Sequence, residues 1–179
     1  MRLPRPFFLQ PGLDVAKQLL GKVLIVERNG IRQSGIISET EAYIGENDLA
    51  SHARRGKTPR SRIMWEQGGL LYVYLIYGMY SCANIVTEHE GFPSAILIRG
   101  VVPLEGLEGK TDGPGKLCRS FGITRTDNGI DLVTNDEIWV EDHSITPASI
   151  LATPRIGVDY AGEWAKKPWR FVGTFETTP

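Results

Sequence analysis

A chain of 179 residues with 41% hydrophobic and 23% charged side chains can bury a real core, and one domain spanning residues 1–179 is the simplest expectation. A formal net charge of −1 excludes a globally basic nucleic-acid binder, so any such partner must be met by local patches. Two cysteines, Cys82 and Cys118, exclude a disulfide framework and a four-thiolate zinc site, and they suit a reducing, cytoplasmic compartment.

Pro11 followed by Leu13–Leu20 predicts a short helix with Val15, Ala16, Leu19 and Leu20 as its apolar stripe, stopped at Gly21. Lys22–Glu27 reads as a strand, and Asn29–Gly30 is the preferred two-residue turn into a second arm, Ile31–Tyr43. Within that arm alternation places Ile37, Glu39, Glu41 and Tyr43 on one face, and Ile36, Ser38, Thr40 and Ala42 on the other. Neither is an ordinary core face. An exposed edge strand would account for the glutamates alone, but the stretch Leu49–Trp65 carries no acid and brings Arg54, Arg55, Lys57, Arg60 and Arg62 together with His52. The combination suggests acids at the centre of a substrate-facing basic surface.

Gly45–Arg62 is polar and turn-rich and reads as loop with one helical turn. Leu70–Tyr77, Gly78–Met79 and Tyr80–Thr87 form a second hairpin, whose first arm is apolar enough for burial on both faces. Ser94–Val101 is a third strand signal, ended by Arg99 and Gly100, and Pro103–Leu107 suits one helical turn. Gly113–Lys116 precedes a helix over Leu117–Phe121 stopped at Gly122. It fails as a nucleotide phosphate loop, because Lys110 stands where glycine is needed and Leu117 where a hydroxyl must hold magnesium. A nest of backbone amides beside Lys116 remains able to hold a backbone phosphate. Ile138–Val140 reads as a strand, and Arg155–Tyr160 with Trp169–Phe171 as late strands around Trp164, with Cys118 and Trp164 in the core. His52, His89 and His143 lack the spacing of a helical metal motif, so no metal or cofactor is expected; the short apolar run at the N-terminus, broken by charge, gives no signal or membrane segment.

A pair of carboxylates first suggests glycoside hydrolysis by two acids. Glu39 and Glu41 share one strand with Cα atoms roughly 7 Å apart, which prevents them from flanking one bond and favours a single general base. Clustered tyrosines fill sheets in many proteins, but they also offer π faces on which nucleic-acid bases stack.

Ser38–Tyr43 with His52, Lys57–Arg60, Leu71–Tyr80, Asn84, Leu97–Arg99 and Gly113–Cys118, in one order from Phe7 to Trp169, resemble the alkyladenine (3-methyladenine) DNA glycosylase family. The resemblance implies an α+β fold: a single domain with a curved, mainly antiparallel β-sheet, short helices and a protruding β-hairpin. It implies a metal-free, cofactor-free hydrolase that flips alkylated or deaminated purines, such as 3-methyladenine or hypoxanthine, from double-stranded DNA for base excision repair. By position, Glu41 matches the family's general base and Arg99 the arginine that holds phosphate and attacking water, with Glu39 as polar support. Tyr43 and Tyr74 match the aromatic pair around the extruded base, His52 its edge-reader and Asn84 a wall that crowds the guanine amine. Tyr77 matches the side chain that fills the gap in the duplex, with Met79 as companion wedge. Arg54, Arg55, Lys57, Arg60 and Lys116 are the expected phosphate contacts. The stretch between Leu107 and Gly113 departs from the family pattern by being shorter. Lacking an evident amine nucleophile, the enzyme is expected to be monofunctional, and it is expected to be a monomer. A non-catalytic reader of damaged nucleotides and a hydrolase of free nucleosides are the competing readings.

Overall fold

The computed structural model describes residues 1–176. Two short helices open the chain, α1 (Arg5–Phe8) and α2 (Gly12–Gln18), and Val15, Ala16, Leu19 and Leu20 bury their stripe in the main core as the spacing predicts. β1 (Val23–Arg28) turns at Asn29 and Gly30, with φ of 53° and 76°, into the long β2 (Ile31–Ile44). Both central positions are left-handed, the mirror-image turn whose twist matches a hairpin. β3 (Leu71–Ile76) and β4 (Tyr80–Val86) form the second hairpin, followed by β5 (Ser94–Glu105), α3 (Pro114–Phe121), β6 (Ile138–Glu141), β7 (Ser149–Thr153) and β8 (Arg170–Thr174).

These strands make one curved, antiparallel sheet in the order β3-β4-β5-β2-β1-β6, with β8 pairing both β2 and β7, and the fold is α+β. β2 is its axis. β5 runs along one edge; the other edge is divided, with Ile31–Ile36 pairing β1 and Glu39–Glu41 pairing β8.

Alternation along β2 does not run unbroken. Ile37, Thr40 and Ala42 are all fully buried; Ile37 and Ala42 sit in the main core, and the Thr40 hydroxyl donates to the Ala16 carbonyl of α2 at 2.8 Å. Ile37 therefore shares a face with Thr40 and Ala42, not with Glu39, Glu41 and Tyr43. The reason is a pair of compensating bulges: Ile37 opposes Val101, Glu39 opposes Gly100 and Thr40 opposes Ile98, so Ser38 is extra on β2 and Arg99 is extra on β5. Bulges re-aim side chains. Gly100 permits this one, because a Cβ there would meet Ser38 Oγ at 3.2 Å and Glu39 Cβ at 3.4 Å.

Other expectations change as well. β3 is an edge strand, buried at Leu71–Val73 and half-buried beyond, so its aromatic arm is covered on one part only. Pro103–Glu105 continues β5 in place of a helical turn, because Gly35 and Ser34 of β2 supply its partners. Arg155–Tyr160 is loop running into a 3₁₀ turn over Asp159–Lys166, while β7, whose residues are mostly exposed, takes the partner position beside β8. Arg62 opens the second of two 3₁₀ turns in the basic stretch, His52–Arg55 and Arg62–Trp65, where one was expected.

Candidate active site

Three successive outward positions of β2, Glu39, Glu41 and Tyr43, each meet an arginine from elsewhere in the chain. Arg170 of β8 donates to Glu39 Oε1 at 2.6 Å, and Arg99 Nε donates to the same oxygen at 3.1 Å while lying 3.6 Å from Glu41 Oε1. Arg155 lays its guanidinium 4.8 Å from the centre of the Tyr43 ring. The bulge that frees Arg99 from pairing is thus what brings it to the acids.

Glu41 is fully buried and well partnered: the Tyr43 hydroxyl donates to Oε2 at 2.7 Å and the Ile156 N–H to Oε1 at 2.8 Å. Burial, then the negative charge of Glu41, hold the Tyr43 phenol well above its ordinary pKa, so it stays a donor. Tyr43, Arg99 and Ile156 also line a cavity of about 370 Å³, and they separate the carboxylate from it.

The same cavity is lined by His52, Tyr72, Tyr74 and Asn84, with Tyr77 at its rim. Its volume exceeds that of a purine, whose flat ring suits the tyrosine faces. The His52 ring meets Tyr74 edge-on at 4.6 Å, and its Nδ1 lies 2.9 Å from the Tyr72 hydroxyl. Burial first, then Arg60, Arg55 and Arg54, pull the His52 pKa from 6.5 down to about 4. The imidazole is neutral at physiological pH. Asn84 donates its amide to the carbonyls of Tyr72 (3.1 Å) and Cys82 (3.3 Å), which leaves its carbonyl oxygen as the remaining polar group of the side chain.

Tyr77 and Gly78 carry φ of 52° and 70°, and Met79 N–H closes the turn on the Ile76 carbonyl at 3.1 Å. A tyrosine in the left-handed region is strained. Tyr77 is 88% exposed and Met79 68%, so neither contributes much to the core.

Arg54, Arg55 and Arg60 line a second cavity of about 340 Å³ that shares His52, Arg60 and Tyr160 with the first. None of these arginines forms an ion pair among the described residues. Arg54 lies over the Tyr160 ring at 5.0 Å and Arg60 over Tyr74 at 4.9 Å. Lys57 is exposed. Lys116 is not part of this group: it pairs with Asp112 at 3.1 Å and lines a separate cleft with Lys110 and Arg119. Among the described residues no three His, Cys, Asp or Glu side chains converge as a metal site requires, and no helix is long and apolar enough to cross a membrane.

Sequence reasoning missed Asp48, Arg155, Ile156, Tyr160 and Arg170. Asp48 and Arg155 form a fully buried ion pair at 2.6 and 2.9 Å. An acid three positions after a turn glycine and an arginine after Thr153–Pro154 give no local signal of a pair formed 107 positions apart.

A curved antiparallel sheet thus carries a tyrosine-walled cavity with a basic rim, and a buried carboxylate and an arginine lie at its foot. The family model described as methylpurine-DNA glycosylase matches residues 6–176, and the chain belongs to that family. Among curated relatives described as "Putative 3-methyladenine DNA glycosylase", the protein from Methanocella arvoryzae is 50% identical, covering 94% of this chain and 90% of the relative. Those from Anaeromyxobacter sp. (strain Fw109-5) and Legionella pneumophila (strain Corby) are 51% and 47% identical over 96% and 95% of this chain, and over 88% and 93% of their own lengths.

Proposed function

We propose that this protein hydrolyses the N-glycosidic bond of an alkylated or deaminated purine that has been rotated out of duplex DNA, leaving an abasic site, with Glu41 as general base. The observation that carries this reading is the buried Glu41 carboxylate, 3.6 Å from Arg99, behind the wall of a purine-sized cavity. Extraction of a nucleotide costs a few kcal/mol, least for a damaged base. Stacking on Tyr43 and Tyr74 offsets it by about 1–3 kcal/mol per contact. Tyr77, already exposed at the hairpin turn, fills the vacated space in the duplex as wedge residues do, with Met79 beside it.

Tyr43 and Ile156 cover Glu41 in the free protein, so water reaches Oε1 beside Arg99 when an incoming base shifts that wall. Glu41 then accepts a proton from the water as its oxygen attacks C1′; the C1′–N bond breaks and its electron pair leaves with the base. A purine alkylated at N3 or N7 is already cationic and leaves without an acid, whereas a neutral base such as hypoxanthine leaves as an anion and takes its proton from water. Neutral His52 hydrogen-bonds the base edge, and Asn84 presents an oxygen that crowds or accepts from exocyclic groups. Arg54, Arg55, Lys57 and Arg60 hold phosphates around the mouth without reading sequence. Lys116, in its separate cleft, contacts phosphate further along the duplex, and the protein acts as a monomer.

The test is free-base release from duplexes bearing single 3-methyladenine, 7-methylguanine, hypoxanthine or ethenoadenine lesions. Release of at least one of them, with no adduct trapped by borohydride, is the expected result. No release from any lesion by protein that still binds an abasic-site analogue would identify a non-catalytic reader instead.

A further inference from the structure

We propose that Arg155 is a positioning residue for the reaction, holding Tyr43 and the Ile156 amide against Glu41 and thereby governing the chemical step more than DNA affinity. This rests on the function proposed above. The Arg155 side chain is fully buried and lines neither of the two cavities described above. Its two terminal nitrogens grip Asp48, while Nη1 also donates to the Ala42 carbonyl at 2.8 Å and Nη2 to the Trp164 carbonyl at 3.1 Å. Asp48 in turn accepts from the Ile44 and Ala50 amides at 3.2 and 3.0 Å. One guanidinium therefore ties the end of β2, the turn behind it and the loop that follows β7.

Two outputs of this clamp reach the catalytic carboxylate. The Arg155 guanidinium carbon lies over the Tyr43 ring at 4.8 Å and over the Trp169 ring at 5.2 Å, so it bears on the ring whose hydroxyl binds Glu41 Oε2. Its chain neighbour Ile156 supplies the N–H on Oε1. A buried ion pair is a poor device for stability alone, because apolar side chains of like volume often serve as well. Arg155 even leaves its Nε as a buried side-chain polar atom without a partner among the described residues. A flat, forked cation is what the geometry demands: lysine supplies the charge but neither the fork nor the stacking plane.

The experiment compares Arg155→Lys, and the charge-neutral double variant Asp48→Asn/Arg155→Gln, with the native chain, each also in a Tyr43→Phe background. Single-turnover base release per folded molecule and affinity for an abasic-analogue duplex are measured, with folding checked by circular dichroism. Arg155→Lys is expected to slow release about 10- to 100-fold, as small misplacements near reacting groups do, while affinity changes less than about threefold. In the Tyr43→Phe background, which already lacks the hydroxyl contact, the loss should shrink by about half on a logarithmic scale. A purely structural residue would give the same factor in both backgrounds, and that result overturns the proposal. So does release within about threefold of native, or failure of both Arg155 variants to fold. If native protein releases no base, the proposed function falls first; if it does and Arg155→Lys matches it, only this inference falls.

Discussion

Glu41→Gln separates the chemistry from the architecture. Two donors and one cation converge on the carboxylate: the Tyr43 hydroxyl at 2.7 Å, the Ile156 N–H at 2.8 Å and the Arg99 guanidinium at 3.6 Å. Glutamine keeps one oxygen for Ile156 and turns its amide to Tyr43, whose hydroxyl can reverse and accept. Arg99 keeps Glu39 at 3.1 Å, so no buried charge is stranded. The structural cost is then one weakened charge-assisted hydrogen bond, about 1–2 kcal/mol, which lowers Tm by roughly 2–8 °C for a chain of this size. The catalytic cost is much larger, because loss of a general base slows the step by about 10²–10⁴-fold. Single-turnover release from a lesion duplex, a thermal melt and binding to an abasic-analogue duplex measure these separately. Release within about threefold of native, or a fall in binding as large as the fall in rate, would refute the role given to Glu41.

Tyr77→Asn removes the exposed ring but retains a residue that tolerates φ of 52°, so Tm should hold or rise slightly while release from duplex substrate falls about tenfold or more; a drop in Tm of several degrees would show that the ring serves the core. The His52 pKa is lowered in the folded protein, so the unfolded chain takes up a proton first as pH falls through 6.5. Stability should be fully present above about pH 6.5 and decline toward pH 4, by on the order of 1–2 kcal/mol after screening, and a His52→Gln variant should lose that part of the slope in urea titrations at each pH. Arg55→Ala removes an exposed cation without an ion-pair partner among the described residues; DNA affinity should weaken for every sequence alike, with a log–log salt slope shallower by about one, measured by anisotropy.

The sequence made much of the site legible because local rules control it. Alternation placed Glu39, Glu41 and Tyr43 on one face, and Asn29–Gly30 set the hairpin that delivers them. The left-handed Gly78 marked the turn that lifts Tyr77. What alternation could not show is the point at which it breaks: the parity change between Ile37 and Thr40 depends on β5 carrying an extra residue at Arg99, and neither strand announces the other's bulge. The clamp of Asp48 and Arg155 is illegible for a related reason, since a buried pair is a fact of three-dimensional proximity. β7 lacked a strand signal because its residues are mostly exposed and carry no buried face to imprint a period. Lys116 shares a charge with the basic loop but not a surface, which charge counting alone cannot distinguish.

The twin bulge at Ser38 and Arg99 also constrains how such a chain can drift over generations. Removing Ser38 alone, or Arg99 alone, would leave the other strand's bulge without its counterpart and offset the pairing of the two strands by one residue beyond that point. Indels in these two strands are therefore tolerated only as matched pairs, one in each, so this short crossing should keep its length even where the surrounding loops grow and shrink freely.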